Sequence, residues 1–164
     1  MTATVPGPWF LEDFAPGQVF TTQGRTVTES DIVSFAATTW DTNEVHTDSV
    51  RAAEGRFGER IAHGLLGMSI AMGLVSRLGV FEGSSIALLA VEEWRFLAPI
   101  RIGDTVRCQV EILSTRRTNA GDSGVLDRRL TLFGAEEAVV QQGRIPLLVK
   151  TKTHPGAPSG STTR

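Results

Sequence analysis

Cysteine is nearly missing from this 164-residue chain, where Cys108 stands alone, and an intramolecular disulfide framework is therefore excluded. Its setting, Val106-Arg107-Cys108-Gln109-Val110, alternates apolar with polar residues and reads as a small buried hydrophobe on one strand face. An excess of one charge is missing too. Acidic and basic residues nearly cancel to a formal net charge of -2, and no run of Lys or Arg could track a phosphate backbone, so nucleic acid is not an expected partner. No apolar stretch approaches the roughly 20 residues needed to span a bilayer, and the start carries no basic patch followed by an apolar leader core. A cytoplasmic protein with no membrane attachment is expected. No G-x-S-x-G elbow occurs, since Gly67-Met68-Ser69-Ile70-Ala71 ends in alanine. No ligand pair among His46, His63 and the carboxylates has the helical or strand spacing of a zinc or iron site, so neither metal nor cofactor is expected.

What is present suffices for one domain with a proper core. Its expected extent is 1–150, followed by a Thr/Pro/Gly/Ser-rich tail over 151–164 without periodic apolar content, which should fray. Trp9-Phe10-Leu11-Glu12-Asp13-Phe14 suggests an aromatic clip, Pro16-Gly17 a turn, and Val19 to Val27 a strand. Thr28-Glu29-Ser30-Asp31 gives a hydroxyl cap with an acid three residues on, and Ile32, Phe35, Ala36 and Thr39 follow at helical spacing. That helix should end near Thr39 or Trp40. One or two helical turns are expected over Thr47 to Ala53.

From Gly64 to Leu78 apolar residues cover nearly every side of a helix, which must then be buried on most faces. Gly67, Ser69, Ala71 and Gly73 keep it slim enough for close approach of a sheet. Strands are expected over Ile86 to Phe96, Val106 to Ile112, Val125 to Phe133 and Ala138 to Val149, with a hairpin turn at Gly121-Asp122-Ser123-Gly124 and Pro146 at an edge or bulge. The natural packing is α+β, one curved antiparallel sheet wrapped around the enclosed helix. A single sheet leaves part of that helix uncovered, and association of two such units, a homodimer or an assembly of dimers, is the expected remedy.

Chemistry concentrates in two segments, Asp41-Thr42-Asn43-Glu44-Val45-His46 and Ala62-His63-Gly64. The first places a carboxylate just beyond a helix end, where free carbonyls and the negative end of the dipole disfavour another negative charge. An imidazole follows five residues later. Gly64 opens the buried helix with an unpaired N–H and no Cβ to obstruct a ligand. Taken singly, Asp41 and Asn43 are ordinary turn formers, His46 a loop histidine and His63 a residue orienting the helix start. Jointly they supply the parts of a site that activates water and holds an oxyanion. Asp41, His46 and Gly64 are the catalytic candidates; Asn43 and His63 are candidate substrate contacts.

These segments, with Arg25-Thr26-Val27-Thr28 and Asp31-Ile32 before them, Phe57-Gly58 and Ile61 between them, and Trp94-Arg95-Phe96, Pro99 and Gly103-Asp104 after, resemble the MaoC-like (R)-specific enoyl-CoA hydratases and dehydratases of the hotdog superfamily. The similarity runs from about Phe10 to Val149. It implies a hotdog fold and a cofactor-independent lyase adding water reversibly to a trans-2-enoyl-CoA thioester, with Asp41 and His46 as the acid-base pair and the Gly64 amide facing the thioester oxygen. Two positions depart from the family's pattern. Trp40 replaces a glycine before the aspartate, and Glu44 replaces a proline after the asparagine. The competing implications are a non-catalytic acyl-binding subunit that completes a partner's site, and an acyl-CoA thioesterase. Acyl selectivity is expected to depend on Trp40, Met68, Met72 and strand residues lining a tunnel.

Overall fold

The computed structural model describes residues 7–157. Helix α1 (Glu29–Thr39) starts as its sequence signal predicts, but with the carboxylate doing the capping: Asp31 Oδ2 accepts from the Thr28 N–H at 2.8 Å and from its hydroxyl at 2.9 Å. It stops at Trp40, whose φ of 64° lies in the left-handed region that favours glycine. Two short helices follow, α2 (Glu44–Thr47) and α3 (Ser49–Glu54), capped by the side chains of Asn43 and Asp48. Helix α4 (Gly64–Ser76) buries Leu66, Gly67, Ile70, Ala71, Leu74 and Val75.

The strands are β1 (Val19–Thr21), β2 (Arg25–Thr26), β3 (Ser85–Leu88), β4 (Glu92–Phe96), β5 (Thr105–Arg117), β6 (Ser123–Phe133), β7 (Val139–Arg144) and β8 (Leu147–Lys150). All described pairings are antiparallel, with β5 and β6 at the centre, β1 and β2 on one flank, β7 and β8 on the other, and β4 and β3 outermost beyond those. Three stretches expected as single strands are each divided. Val19 to Val27 breaks after Thr21, and the pairing resumes one residue out of step, from Thr21 opposite Gln109 to Arg25 opposite Val106. The stretch 139–150 breaks at Pro146, which has no N–H for a ladder, and its partner stretch 85–96 breaks alongside, with the Leu89 N–H donating to the Pro146 carbonyl at 3.0 Å.

Inward positions of the central strands, Val106, Cys108, Val110, Ile112, Leu126, Leu130 and Leu132, join Ile70, Leu74 and Val75 of α4 in one core. Full burial pushes the Cys108 thiol up to about 12, so it stays protonated and inert, as its setting suggested. Arg128 is the exception to the apolar alternation. It is 1% exposed, donates from Nε to the Ile145 carbonyl at 2.9 Å, and lies 4.8 Å from the centre of the Phe81 ring. Burial lowers its pKa to about 10. The expected aromatic clip forms: Trp9 and Phe14 are 5.5 Å apart, and Phe14 stacks on Phe81 at the same separation.

Beyond β8 the chain stays attached through Lys152, because Thr151 is buried and donates to the Asp122 carbonyl, while Lys152 reaches Asp13. Residues 153–157 continue in turns, the His154 N–H donating to the Thr151 carbonyl and the Ala157 N–H to that of His154, and the rest of the expected tail, 158–164, lies outside the described residues.

Candidate active site

The end of α1, the short helix α2 and the start of α4 meet. At least one polar atom from each of Asp41, His46 and His63 falls in a group whose members all lie within 4.8 Å of one another. The local sequence explains the convergence. Trp40 turns the chain at the end of α1, and Asn43, capping α2 through the Val45 N–H at 3.2 Å, starts the turn that carries His46 inward. Residues 61 and 62 are pinned from the other side, since the Ile61 N–H donates to Val45 and the Ala62 N–H to Ile100.

Both imidazoles are oriented by peptide carbonyls. His46 Nδ1 lies 2.8 Å from the Ile61 carbonyl oxygen. A carbonyl only accepts, so Nδ1 carries the proton and Nε2 of the neutral ring keeps its lone pair. His63 Nε2 lies 2.9 Å from the Asp41 carbonyl oxygen, which by the same reasoning leaves its Nδ1 unprotonated; that atom is buried with no hydrogen-bond partner. The two rings stack at 3.8 Å with planes 27° apart, and Phe35 packs on His63 at 5.0 Å. His63 is 2% exposed and serves as the floor under His46 and the anchor of the Asp41 backbone.

The spacing of these three groups would also suit a metal ion. The stacking argues against one, because lone pairs lie in the ring planes and two nearly parallel imidazoles direct them side by side rather than at one point some 2.0–2.1 Å away. A water bridging two of these groups is compatible with the same limit. Two hydrogen bonds of about 2.8 Å meeting near the tetrahedral angle span about 4.6 Å.

Next to this cluster is a pocket of about 400 Å³ whose wall includes His46 and Gly64, with Phe57, Phe96, Ile100 and Gln141 around them. Gly64 is the first residue of α4, where an N–H has no acceptor within the helix. The Phe96 ring lies close over it, and its Cε1 would stand 2.9 Å from a Cβ, so a side chain here would have to displace that ring. Asp41, exposed, is beside the pocket rather than in its wall, and neither Asn43 nor His63 lines it.

Two wall residues had no sequence signal pointing to a site. Gln141 reads only as a polar residue in an apolar strand, and Arg56 as one of many surface arginines. Of the side chains expected to shape an acyl tunnel, the strand residues Phe96 and Gln141 line the pocket, whereas Trp40, 88% exposed, Met68, and Met72, packed against the core, are not in its wall. A short sequence pattern places the helix but not the side its residues face.

Comparison with known proteins bears on the family and the fold. The model for the MaoC like domain matches residues 13–131. Protein MaoC of Klebsiella aerogenes is 40% identical over 109 residues, 66% of this chain, and the aligned part spans only 31% of that protein's length. An (R)-specific enoyl-CoA hydratase of Rhodospirillum rubrum is 36% identical over 104 residues, covering 63% of this chain and 69% of that one. Among solved structures, a monoamine oxidase regulatory protein from Archaeoglobus fulgidus superposes with a TM-score of 0.82 at 33% identity, over 88% of this chain and 95% of that one. The antiparallel sheet packed on one long helix is the hotdog fold, and with the family match spanning most of its length the chain belongs to the MaoC-like domain family.

Proposed function

We propose that the chain catalyses the reversible addition of water to a trans-2-enoyl-CoA, giving an (R)-3-hydroxyacyl-CoA. One observation carries this reading. His46, whose Nε2 is left as the lone-pair nitrogen by the Ile61 carbonyl, shares a pocket wall with Gly64, and one of its ring nitrogens lies within 4.8 Å of an Asp41 carboxylate oxygen, a separation that a single water can bridge. Water held between carboxylate and imidazole loses a proton as its oxygen attacks the β-carbon, and the same pair returns a proton to the α-carbon. Charge building on the thioester oxygen is met by the Gly64 N–H with the positive end of α4 behind it. The apolar wall of Phe57, Phe96 and Ile100 suits an acyl chain.

Arg56 is the cation of that wall. Its neighbours Arg51, Arg60 and Arg101 are paired with Glu54, Glu29 and Glu59, leaving Arg56 to meet a negative group of the thioester. The functional unit is a homodimer. Ile86, Leu88, Leu89, Val91, Phe96 and Leu97, each 44–55% exposed, follow one another along β3, β4 and the residues that join and follow them, and these two strands have no pairing on their outer side among the described residues. An unpaired apolar edge of this kind is suited to a second copy.

The test is the purified chain with crotonyl-CoA and longer enoyl-CoAs, following loss of the conjugated double bond and the chirality of the product. Hydration to the (R)-alcohol is expected. Release of free thiol instead would make the protein a thioesterase, and activity only with an added partner would make it a supporting subunit. Sedimentation should give twice the chain mass, and Leu88→Lys should reduce it to one.

A further inference from the structure

Gln141 lies on β7, is 2% exposed, and its side-chain amide is hydrogen-bonded to both α4 and β4. Its Nε2 donates to the Gly64 carbonyl at 3.0 Å, and its Oε1 accepts from the Trp94 indole N–H of β4 at 3.2 Å. These partners fix the amide in one orientation. An indole N–H only donates and a carbonyl only accepts, so a flipped amide would oppose two donors at one end and two acceptors at the other. The helix is cut to receive it. At Gly67, one turn on, a Cβ would fall on the Gln141 amide and stand 2.8 Å from Ile100 Cδ1. Gln141 and Gly64 also share the pocket wall.

Building on the proposed role of the Gly64 amide, we infer that Gln141 is a positioning residue. Held by Trp94, it clamps the first turn of α4 and sets the direction in which that turn presents its free N–H groups to the thioester oxygen. Apolar packing alone tolerates small rotations of a helix end, whereas two directional bonds through one rigid amide do not. A displacement of about 1 Å at a reacting centre can cost on the order of 100-fold in rate. Trp94 acts entirely through Gln141, so the two residues form a chain rather than two separate supports.

The test uses the full chain, with Gln141→Met keeping volume and removing both bonds, and Trp94→Phe freeing only the Gln141 oxygen. Turnover of the Met variant should fall about tenfold or more with KM changed less than about threefold, the mark of an interaction made in the transition state. Trp94→Phe should cost less, and nothing further when added to Gln141→Met. A second readout needs no substrate. Gly-Leu occurs twice in the chain, at 64–65 and 73–74, so glycine carbonyl-¹³C with leucine ¹⁵N gives two NMR cross-peaks, one on the clamp and one as an internal control. Gln141→Met should move the Gly64 carbonyl and leave Gly73 in place.

An unmoved Gly64 carbonyl overturns the clamp. A moved carbonyl with turnover within about twofold of wild type, at an unchanged melting temperature, overturns the positioning role. If the wild-type chain hydrates no enoyl-CoA, the functional reading and the catalytic positioning fail together, while the carbonyl shift still decides whether the clamp exists. If Gln141→Met does not fold, Trp94→Phe carries both measurements: an unchanged rate and carbonyl would overturn the proposal.

Discussion

The two segments that make the site are built in opposite ways. The stretch from Trp40 to His46 is short, mostly exposed and polar, held largely by bonds to backbone, and begins with a residue in the left-handed region. The stretch from Ile61 to Gly67 is largely buried and fitted closely under Phe96, Ile100 and Gln141, so that a Cβ at Gly64 or Gly67 would require a neighbouring side chain to move. The groups proposed to move protons are on the first, and the amide proposed to face the developing charge is on the second. Proton transfer needs contact with water and a ring able to exchange its proton. Electrostatic stabilisation needs a donor that does not reorganise during reaction.

Substitutions should separate the two. The largest effect belongs to the polar segment: Asp41→Asn and His46→Ala should each lower hydration by about 10²–10⁴-fold, with melting temperature and far-UV circular dichroism unchanged. Retention of near wild-type rates by both would end the assignment. On the buried segment the damage should be structural. Gly67→Ala places a methyl against Gln141 and Ile100 and should destabilise by about 1–3 kcal/mol, read in urea unfolding, because the site is already full. Arg56→Ala should raise KM for the CoA thioester several-fold with turnover little changed, whereas its effect on stability should be negligible.

Trp40→Gly should go the other way. A non-glycine residue in the left-handed region costs about 1–2 kcal/mol, and at 88% exposure the indole gains little from packing. The variant should melt a few degrees higher; a lower melting temperature would mean that the indole is covered in the assembled protein. The smallest effect is that of acid. Bidentate bonds from Arg60 hold the Glu29 carboxyl below its usual 4.5. Burial works against the Asp31 charge, yet the bonds from Thr28 and the charge of Arg25 hold it below 3.8. Folded values below unfolded ones mean that this stabilisation is present above about pH 4.5 and is lost as pH falls through that range and below. Thermal melts at descending pH should show it, and Glu29→Gln should weaken the dependence.

Much of this was legible in the sequence because it depends on order and periodicity. The apolar wrap of α4, the Thr28 to Asp31 start signal and the hairpin at Gly121 follow from local pattern. What was not legible depends on sites distant in the chain. Gln141 reaches Gly64 across 77 positions, and Arg128 occupies an inward position that alternation assigns to a hydrophobe. The divided strands share this cause. Pro146 announced its own break, but the matching interruption in 85–96 came from the strand paired with it.

The acceptor for His46 Nδ1 is a main-chain oxygen, that of Ile61, in a residue bridged to Arg101. Any amino acid at position 61 supplies the same oxygen, so point mutation there has no direct means of moving the imidazole proton to the wrong nitrogen. The tautomer of the ring is inherited from the path of the backbone, and side chains of the pocket's lining can be exchanged around it without reversing that choice.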